Sequence, residues 1–375
     1  MTVGPVLVLN AGSSTLKWVV LDSASEAVVQ RGQASWHGSD ATRHQAELQA
    51  ALERVPEVAA VGHRVVHGGA RFREPILIDE GVRQEIVALA DLAPLHNMAA
   101  VAGFDAARGR FPNVPQVAAF DTAFHSTLPE ATATYALPWE WTTRFGLRRF
   151  GFHGLSVEYA VGRAADMLGA RPSRAVVCHL GAGCSVTALA DGRSIDTTMG
   201  FTPLEGVMMA RRSGSVDPGL LLHLLRHGLT VEALARGLNE ESGLYGVSGV
   251  SGDMREVLAR VDAGDPRARL AHEIFVQRVV STIGAMTATL GGLDTVIFTG
   301  GIGEHSARTR AAVCARLGYF GVQLDEAANA QRQSDTDVAA PESMVRVLVI
   351  EAREDLTILR QVGAVVILRR EHDDN

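Results

Sequence analysis

Val6 to Leu9 is a short apolar run that ends in the small polar stretch Asn10-Ala11-Gly12-Ser13-Ser14-Thr15, and a second apolar run, Trp18 to Leu21, follows at once. This predicts a strand, a tight turn and a second strand. The plan recurs from Ala175 to Thr187, where Leu180, Ala182, Gly183 and Ser185 stand where the first copy has Leu9, Ala11, Gly12 and Ser14. Each copy continues into a third strand, through Asp191-Gly192 in the second, so a duplicated unit and two related domains are expected. Elsewhere strand-length apolar runs alternate with helical periodicity, which predicts α/β architecture. Single strands are expected near 5–10, 17–22, 27–35, 58–62, 117–120, 295–299 and 345–350, with the second three-strand unit over 174–200. Helices are expected near 42–54, 79–92, 218–227, 268–291 and 353–368. Two more are expected over 156–168, capped by Ser156, and over 305–317, behind a glycine turn at Gly300–Gly303. If the domains are duplicates, the closing helix packs back on the first.

Composition narrows the class. The 375 residues, 47% hydrophobic and 21% charged, suffice for two globular domains. No apolar run has the length of a membrane span, and the start lacks a basic segment leading into a signal-type core, so a cytoplasmic protein without membrane partners is expected. Cys178, Cys184 and Cys314 show no metal-binding spacing and read as buried free thiols in a reducing compartment. A net charge of −7 argues against nucleic acid as a partner. Two local basic clusters, Arg148-Arg149 and Arg211-Arg212, are either solvated surface or anion sites.

Several short stretches could carry chemistry. The Asn10–Thr15 turn has no bulky side chain, so its backbone N–H groups can approach a phosphate, with Ser13, Thr15 and Lys17 nearby; it lacks the Walker A spacing. Gly62 to Gly69 sets His63, Arg64 and His67 between glycines, and Arg64 is hard to explain as packing. Asp121 directly follows an apolar strand, where either a ligand or a helix cap is expected. His153 lies in Gly151-Phe152-His153-Gly154, open to a ligand or merely a turn. Arg211 and Arg212 precede the helix opened by Asp217-Pro218, a place suited to an anion. Thr299 to His305 is glycine-rich and suits a nucleotide weakly, and Glu354 opens the last helix as a dipole partner or a metal ligand.

Taken together and in order, these motifs resemble those of the acetate kinase family, within the superfamily of acetate and sugar kinases, heat-shock chaperones and actin. The likeness rests on Asn10 to Ser14, Gly62 to Gly69, Ala93 to Asn97, Phe120 to His125, Gly151 to Gly154, His179 to Gly181, Met199 to Gly206, Ser213-Gly214 with Asp217-Pro218, and Gly301 to Glu304. It implies two duplicated ribonuclease-H-like domains with mixed sheets around a nucleotide cleft, the first formed by 1–124 plus 355–375 and the second by 125–354. It implies Mg2+, or Mn2+ in its place, with ATP and ADP as co-substrates and acetate or another short carboxylate as acceptor. A homodimer formed through the second domain is implied as well.

By the same resemblance, Arg64 and Arg212 would clamp the carboxylate and the phosphoryl group, and His153 would donate to the phosphoryl oxygens. His179, Gly181 and Gly183 would lie close to the phosphates, with Ser13 and Lys17 supporting the first turn. Asp121 and Glu354 would organise the metal together with Asn10, and His96 would stand nearby. Val66, Leu95, Phe152 and Pro203 would form the acyl pocket. Asp253, Met254, Arg255, Gly301, Ile302, Gly303 and Glu304 would hold the adenosine. The chain departs from the family pattern at Thr15, Met98-Ala99-Ala100, Leu155, Val157, Ala182 (usually Asn) and Arg211 (usually Thr), and is short before Val61. Propionate as acceptor and a catalytically weak nucleotide-binding homologue are the alternatives; a butyrate-type kinase is disfavoured by the first turn.

Overall fold

The computed structural model describes residues 3–12, 15–35, 41–92, 94–331 and 335–373. Ser13, one of the expected phosphate ligands, lies outside the described residues, as does Ser14. The chain forms two compact units, Met1–Ser126 with Arg353–Asn375, and Thr127–Ala352.

The first unit is built on a six-stranded mixed sheet in the order β3-β2-β1-β4-β6-β5. β1 (Pro5–Ala11), β2 (Thr15–Asp22) and β3 (Val28–Ser35) form an antiparallel meander. β4 (Ala60–Val65) and β6 (Gln116–Phe120) extend the sheet in parallel, and the short β5 (Ile76–Leu77) closes the edge antiparallel to β6. The second unit repeats the order as β9-β8-β7-β10-β12-β11. Here β7 (Arg174–Leu180), β8 (Cys184–Ala190) and β9 (Arg193–Thr197) form the meander, and β10 (Thr295–Thr299) and β12 (Arg346–Val349) the parallel part. β11 (Thr336–Asp337) is the antiparallel edge.

The central strands are apolar because helices cover them. In the first unit Leu7, Leu9, Leu16 and Trp18 pack with Leu48 and Leu52 of the Ala41–Leu52 helix and with Ala106 and Ala107 of the Pro94–Arg110 helix. The helix Glu354–Asp373 packs on β4, and Gly62 permits it. A Cβ at Gly62 would lie 2.5 Å from Ile358 Cγ2 and 2.7 Å from Val362 Cγ2, so a side chain there would lever the helix off the sheet. In the second unit the 25-residue helix Pro266–Leu290 buries Phe275, Val279 and Ile283. Asp265 caps its start by accepting from the amides of Arg267 and Ala268, and Gly291 ends it at a φ of +68°. Cys178, Cys184 and Cys314 are free and buried. No helix among the described residues is long and apolar enough to cross a membrane.

Some elements differ from the sequence reading. Ser156 caps nothing: the helix begins at Gly154, with His153 in the cap position, and Ser156 lies within its first turn. Gly300–Gly303 is the start of a short helix, Gly300–His305, rather than a turn. The helix expected to run from Asp79 to Leu92 ends at Ala88 and tightens into a 3-10 turn. The helices Pro94–Arg110, Val231–Glu240, Gly243–Ser248 and Met254–Asp262 were not expected. Glu354, placed at the end of the second domain by sequence, opens the helix that packs on β4 and therefore lies in the first unit.

His63 gives the first unit a defined response to acid. It is 2% exposed, with Nε2 2.7 Å from Gln116 Oε1 and its ring edge-on to Phe104. Burial pushes its pKa from 6.5 down to about 4, against the hydrogen bond that Gln116 Oε1 accepts from it, which raises it. The unfolded chain therefore takes up this proton well before the folded one. The stability tied to neutral His63 is complete above pH 6.5 and is lost as pH falls to about 4. It amounts to about 3 kcal/mol at most. The urea midpoint is expected to fall between pH 6.5 and 4, and the double variant His63→Leu/Gln116→Leu to fall less steeply. Equal slopes in the two proteins would show that His63 is not the group involved.

Candidate active site

In the second unit, β7 and β8 are joined by Gly181-Ala182-Gly183, closed by a hydrogen bond from the Gly181 amide to the Gly183 carbonyl (2.9 Å). A Cβ at Gly183 would lie 2.8 Å from Arg212 Nη2 and 3.1 Å from His153 Nε2. Glycine at this position is what admits both groups to the turn. Arg212 is half-buried and donates through Nη1 to the Pro203 carbonyl (2.6 Å). It has no carboxylate partner among the described residues, and burial holds its guanidinium below its ordinary pKa. A cation partly withdrawn from water without a countercharge is a place for an anion.

The loop carrying Pro203 is fixed from behind. The Tyr135 hydroxyl donates to Glu205 and accepts from the Phe201 amide (2.8 Å), and Arg149 pairs with Glu205 at 2.8 Å. Arg149, half of the first basic cluster, is thus spent on structure, whereas Arg212 of the second is open to a ligand. His153 stands at a φ of +60°, a left-handed conformation that costs a non-glycine residue about 1–3 kcal/mol. Its Nδ1 lies 3.0 Å from Ser185 Oγ, and its ring stacks on that of His179 with centroids 4.1 Å apart. His179 is oriented in turn by Ser156, whose Oγ is 2.8 Å from its Nδ1.

Beside the same turn lies a cavity of about 990 Å³, room enough for a nucleotide. Gly181, Asp253, Met254 and Arg255 line it, and Gly301, Ile302 and Glu304 face it from the Gly300–His305 helix. Gly303, His179 and Gly183 do not line it. Asp253 caps the Met254–Asp262 helix through the Arg255 amide and pairs with the Arg255 side chain at 2.5 Å. Burial raises the Glu304 carboxyl above its ordinary pKa, while the Ala352 amide donates to it at 3.0 Å.

The first unit gathers a different cluster. Arg64, on β4, donates to Asp121, just past β6, from Nη2 at 2.6 Å and from Nε at 3.1 Å. Glu354 lies 3.5 Å from Arg64 Nε, and Asn10 Oδ1, on β1, accepts from Nη1 at 3.3 Å. Asp121 is 1% exposed. Burial pushes its carboxyl up to about 6; Arg64 opposes this and Glu354 adds to it. Burial works against the charge on Arg64, but Asp121 and Glu354 outweigh it and hold the guanidinium above its ordinary value. His67 is a packing residue. Asn97 accepts from its amide and donates to its carbonyl, and its own Nδ1 accepts from the Gly69 amide.

Of the remaining sequence candidates, Lys17 is exposed on β2 opposite Asn10. Val66 and Pro203 are half-buried and Phe152 is 1% exposed. The side chains of Leu95 and His96 lie outside the described residues. Three contributors escaped the sequence reading: Ser156 as the orienting partner of His179, Ser185 as that of His153, and the Tyr135–Glu205–Arg149 brace. None has a local motif, because each acts on a residue more than twenty positions away.

The profile of the Acetokinase family matches residues 40–360. The chain belongs to the acetokinase family. It is therefore a kinase whose acceptor is a carboxyl group. It is 53% identical over 310 residues to an acetate kinase of a Synechococcus strain, covering 82% of this chain and 76% of the relative. The crystal structure of Porphyromonas gingivalis acetate kinase matches 97% of this chain and 100% of its own, at 34% identity and a TM-score of 0.89. That of a propionate kinase from Francisella tularensis matches 96% and 100%, at 35% identity and a TM-score of 0.88. The mixed α/β architecture with two six-stranded sheets is that of the actin-like ATPase class.

Gly183→Ala tests the crowding at the turn. The nearest atoms are the far ends of Arg212 and His153, so the protein is expected to fold while both groups are displaced. A displacement of an ångström costs on the order of a hundredfold in turnover. Wild-type acyl-phosphate formation by a folded Gly183→Ala protein would mean that neither group needs that position.

Proposed function

We propose that this acetokinase-family chain reversibly transfers the γ-phosphoryl group of ATP to acetate by direct in-line attack, giving acetyl phosphate and ADP. One observation carries the reading. Arg212, without a carboxylate partner among the described residues, shares the glycine turn with the stacked pair His153–His179, beside a cavity of nucleotide size. A carboxylic acid of pKa near ~4 is already ionised at neutral pH, so the nucleophile needs no base. What the reaction needs is relief of repulsion between anions and stabilisation of charge on the phosphoryl group in flight. Arg212 and His153 supply donors to the phosphoryl oxygens and Arg64 binds the acceptor carboxylate. Gly181, Asp253 to Arg255, Gly301, Ile302 and Glu304 hold the nucleoside, and His179 and Gly183 of the same unit act toward its phosphates. The side chains we assign to the acyl group are Val66 in the first unit and Phe152 and Pro203 in the second.

The family's metal suits the first-unit cluster. Among the described residues no group of three His, Cys, Asp or Glu side chains is gathered for a metal. Asp121, Glu354 and Asn10 nonetheless give two carboxylates and an amide oxygen against the single guanidinium of Arg64, an excess of hard, negative donors. That set fits Mg2+, which retains waters and substrate oxygens in its shell, and Mn2+ would accept it too. When bound, the ion would neutralise phosphate charge. Acetate is favoured as acceptor by the curated relative. The propionate kinase among the similar structures keeps propionate as a second substrate, since one methylene in an apolar pocket is worth only ~1–3 kcal/mol.

The working form in this reading is a cytoplasmic homodimer. Buried free thiols agree with a reducing compartment. The Pro218–Arg226 helix buries none of its residues and exposes Leu220 and Leu222, with Leu229 and Val231 beyond it. A second copy would cover that apolar face. Light scattering should give twice the chain mass, and Leu220→Asp/Leu222→Asp should give the single mass. A wild-type monomer at micromolar concentration would overturn the dimer.

Acyl phosphate trapped as hydroxamate, with Mg2+, ATP and a panel of acetate, propionate and butyrate, tests the activity itself. Turnover with none of the acids would sink the reading. Arg212→Ala is expected to lower turnover by ~10³-fold or more while leaving the melting temperature unchanged, because no carboxylate is orphaned. Arg64→Ala should lose turnover and also about 3–5 kcal/mol of stability, because it strands buried Asp121.

A further inference from the structure

The nucleotide cavity has two guanidinium groups on its lining, those of Arg211 and Arg255, and one imidazole, that of His305. Arg255 is committed, its Nε and Nη2 both meeting the Asp253 carboxylate. His305 lies 4.0 Å from the Glu304 carboxylate. Arg211 has no carboxylate partner among the described residues; its guanidinium lies 4.3 Å over the Tyr245 ring, and Nη1 donates to the Glu240 carbonyl at 3.2 Å. Those contacts orient the group without neutralising it, and they leave most of its five N–H donors for a ligand.

Its backbone is held more firmly than its tip. The Arg211 carbonyl accepts from the Ser242 amide (3.0 Å), and the Ala210 carbonyl from the Tyr245 amide (3.0 Å). The Ala210 amide donates to the Ala182 carbonyl at 3.2 Å, which ties the arginine to the Gly181-Ala182-Gly183 turn. That turn offers backbone donors but no polar side chain. Arg212, the next residue, is directed away to the Pro203 carbonyl and to the Gly183 position beside His153. On this side of the cavity, positive charge for a phosphate chain comes from Arg211.

We propose that Arg211 is a nucleotide-affinity residue, contacting the non-transferred phosphates of the bound nucleotide while Tyr245 holds its guanidinium in plane. This rests on the kinase reading for the nature of the ligand, but it concerns binding and not transfer. Its consequence is selectivity by charge: ATP and ADP gain from Arg211, and adenosine gains nothing.

The test is calorimetric titration of the intact protein with ATP, ADP and adenosine, at low and high salt. Arg211→Ala is expected to weaken ATP and ADP by roughly tenfold or more, the worth of a charge-assisted hydrogen bond, and to leave adenosine unchanged. The loss should shrink at high salt. Arg211→Lys should recover part of the affinity, and Tyr245→Ala should lose part of it without any change at Arg211. Unchanged ATP binding in folded Arg211→Ala overturns the proposal. So does an equal loss for ATP and adenosine, which would make Arg211 a wall of the pocket and not a phosphate contact. ATP binding without acyl-phosphate formation in the wild type would overturn the kinase reading alone and leave this test intact. No ATP binding in the wild type would overturn both.

Discussion

A guanidinium partly removed from water with no carboxylate to answer it is unstable by itself, and the second unit is organised around keeping Arg212, which has none among the described residues, in that state. The Pro203 carbonyl takes one of its N–H groups, the Gly183 backbone gives it room, and the Tyr135–Glu205–Arg149 brace fixes the loop that carries the acceptor. Each of these neighbours is neutral toward Arg212 or spends its charge elsewhere. A glutamate in reach of Arg212 would stabilise the empty protein and compete with any incoming phosphate. The unsatisfied charge is therefore a functional feature whose cost the surrounding packing has to offset.

The first unit resolves the same problem in the opposite sense. Arg64 faces two carboxylates and an amide oxygen, so its charge is more than matched. The excess falls on the carboxylates, and it shows in Asp121, whose carboxyl is pushed up to about 6 by burial and by Glu354 despite the arginine beside it. One cluster is short of negative charge and the other has too much. These are the two kinds of place that a phosphoryl group and a divalent cation would each seek.

Much of this could be read in the chain. The two strand–turn–strand units announce themselves because strand period and small turn residues are local properties, and both sheets follow them. Arg64 stood out because arginine between glycines in an apolar strand has no packing explanation, and Asp121 because it ends such a strand. Other features were not legible for definite reasons. The Pro94–Arg110 helix contains Gly103 and Gly109, which dilute its periodicity. The Gly300–His305 helix is glycine-rich, and Gly300 stands at a φ of +76° where an added Cβ would lie 2.9 Å from the Leu180 carbonyl oxygen, so its start depends on a residue without a side chain. Ser156 read as a cap because its type favours caps, but His153 takes that position in a strained conformation that no propensity anticipates. Partners distant in sequence, such as Ser185 for His153 and Ser156 for His179, became visible only once the strands were placed.

The duplication explains how one topology serves two chemistries. In both sheets the parallel strands beside the meander end at the same level as its first turn, so both bring strand ends and a small-residue turn together. What differs is the cargo at equivalent places. The end of β4 carries Arg64, with Asp121 after β6 supplying its partner. The end of β10 carries no charge and instead opens a helix that lines a cavity with Gly301, Ile302 and Glu304. A glycine-rich helix start brings backbone close to a bulky neutral ligand, and a charged strand end suits a small ionic one. Exchanging the two loadings would leave both sheets intact and both sites useless, because fold and function are fixed here by different residues: the apolar strand interiors set the first, and the few side chains at their ends set the second.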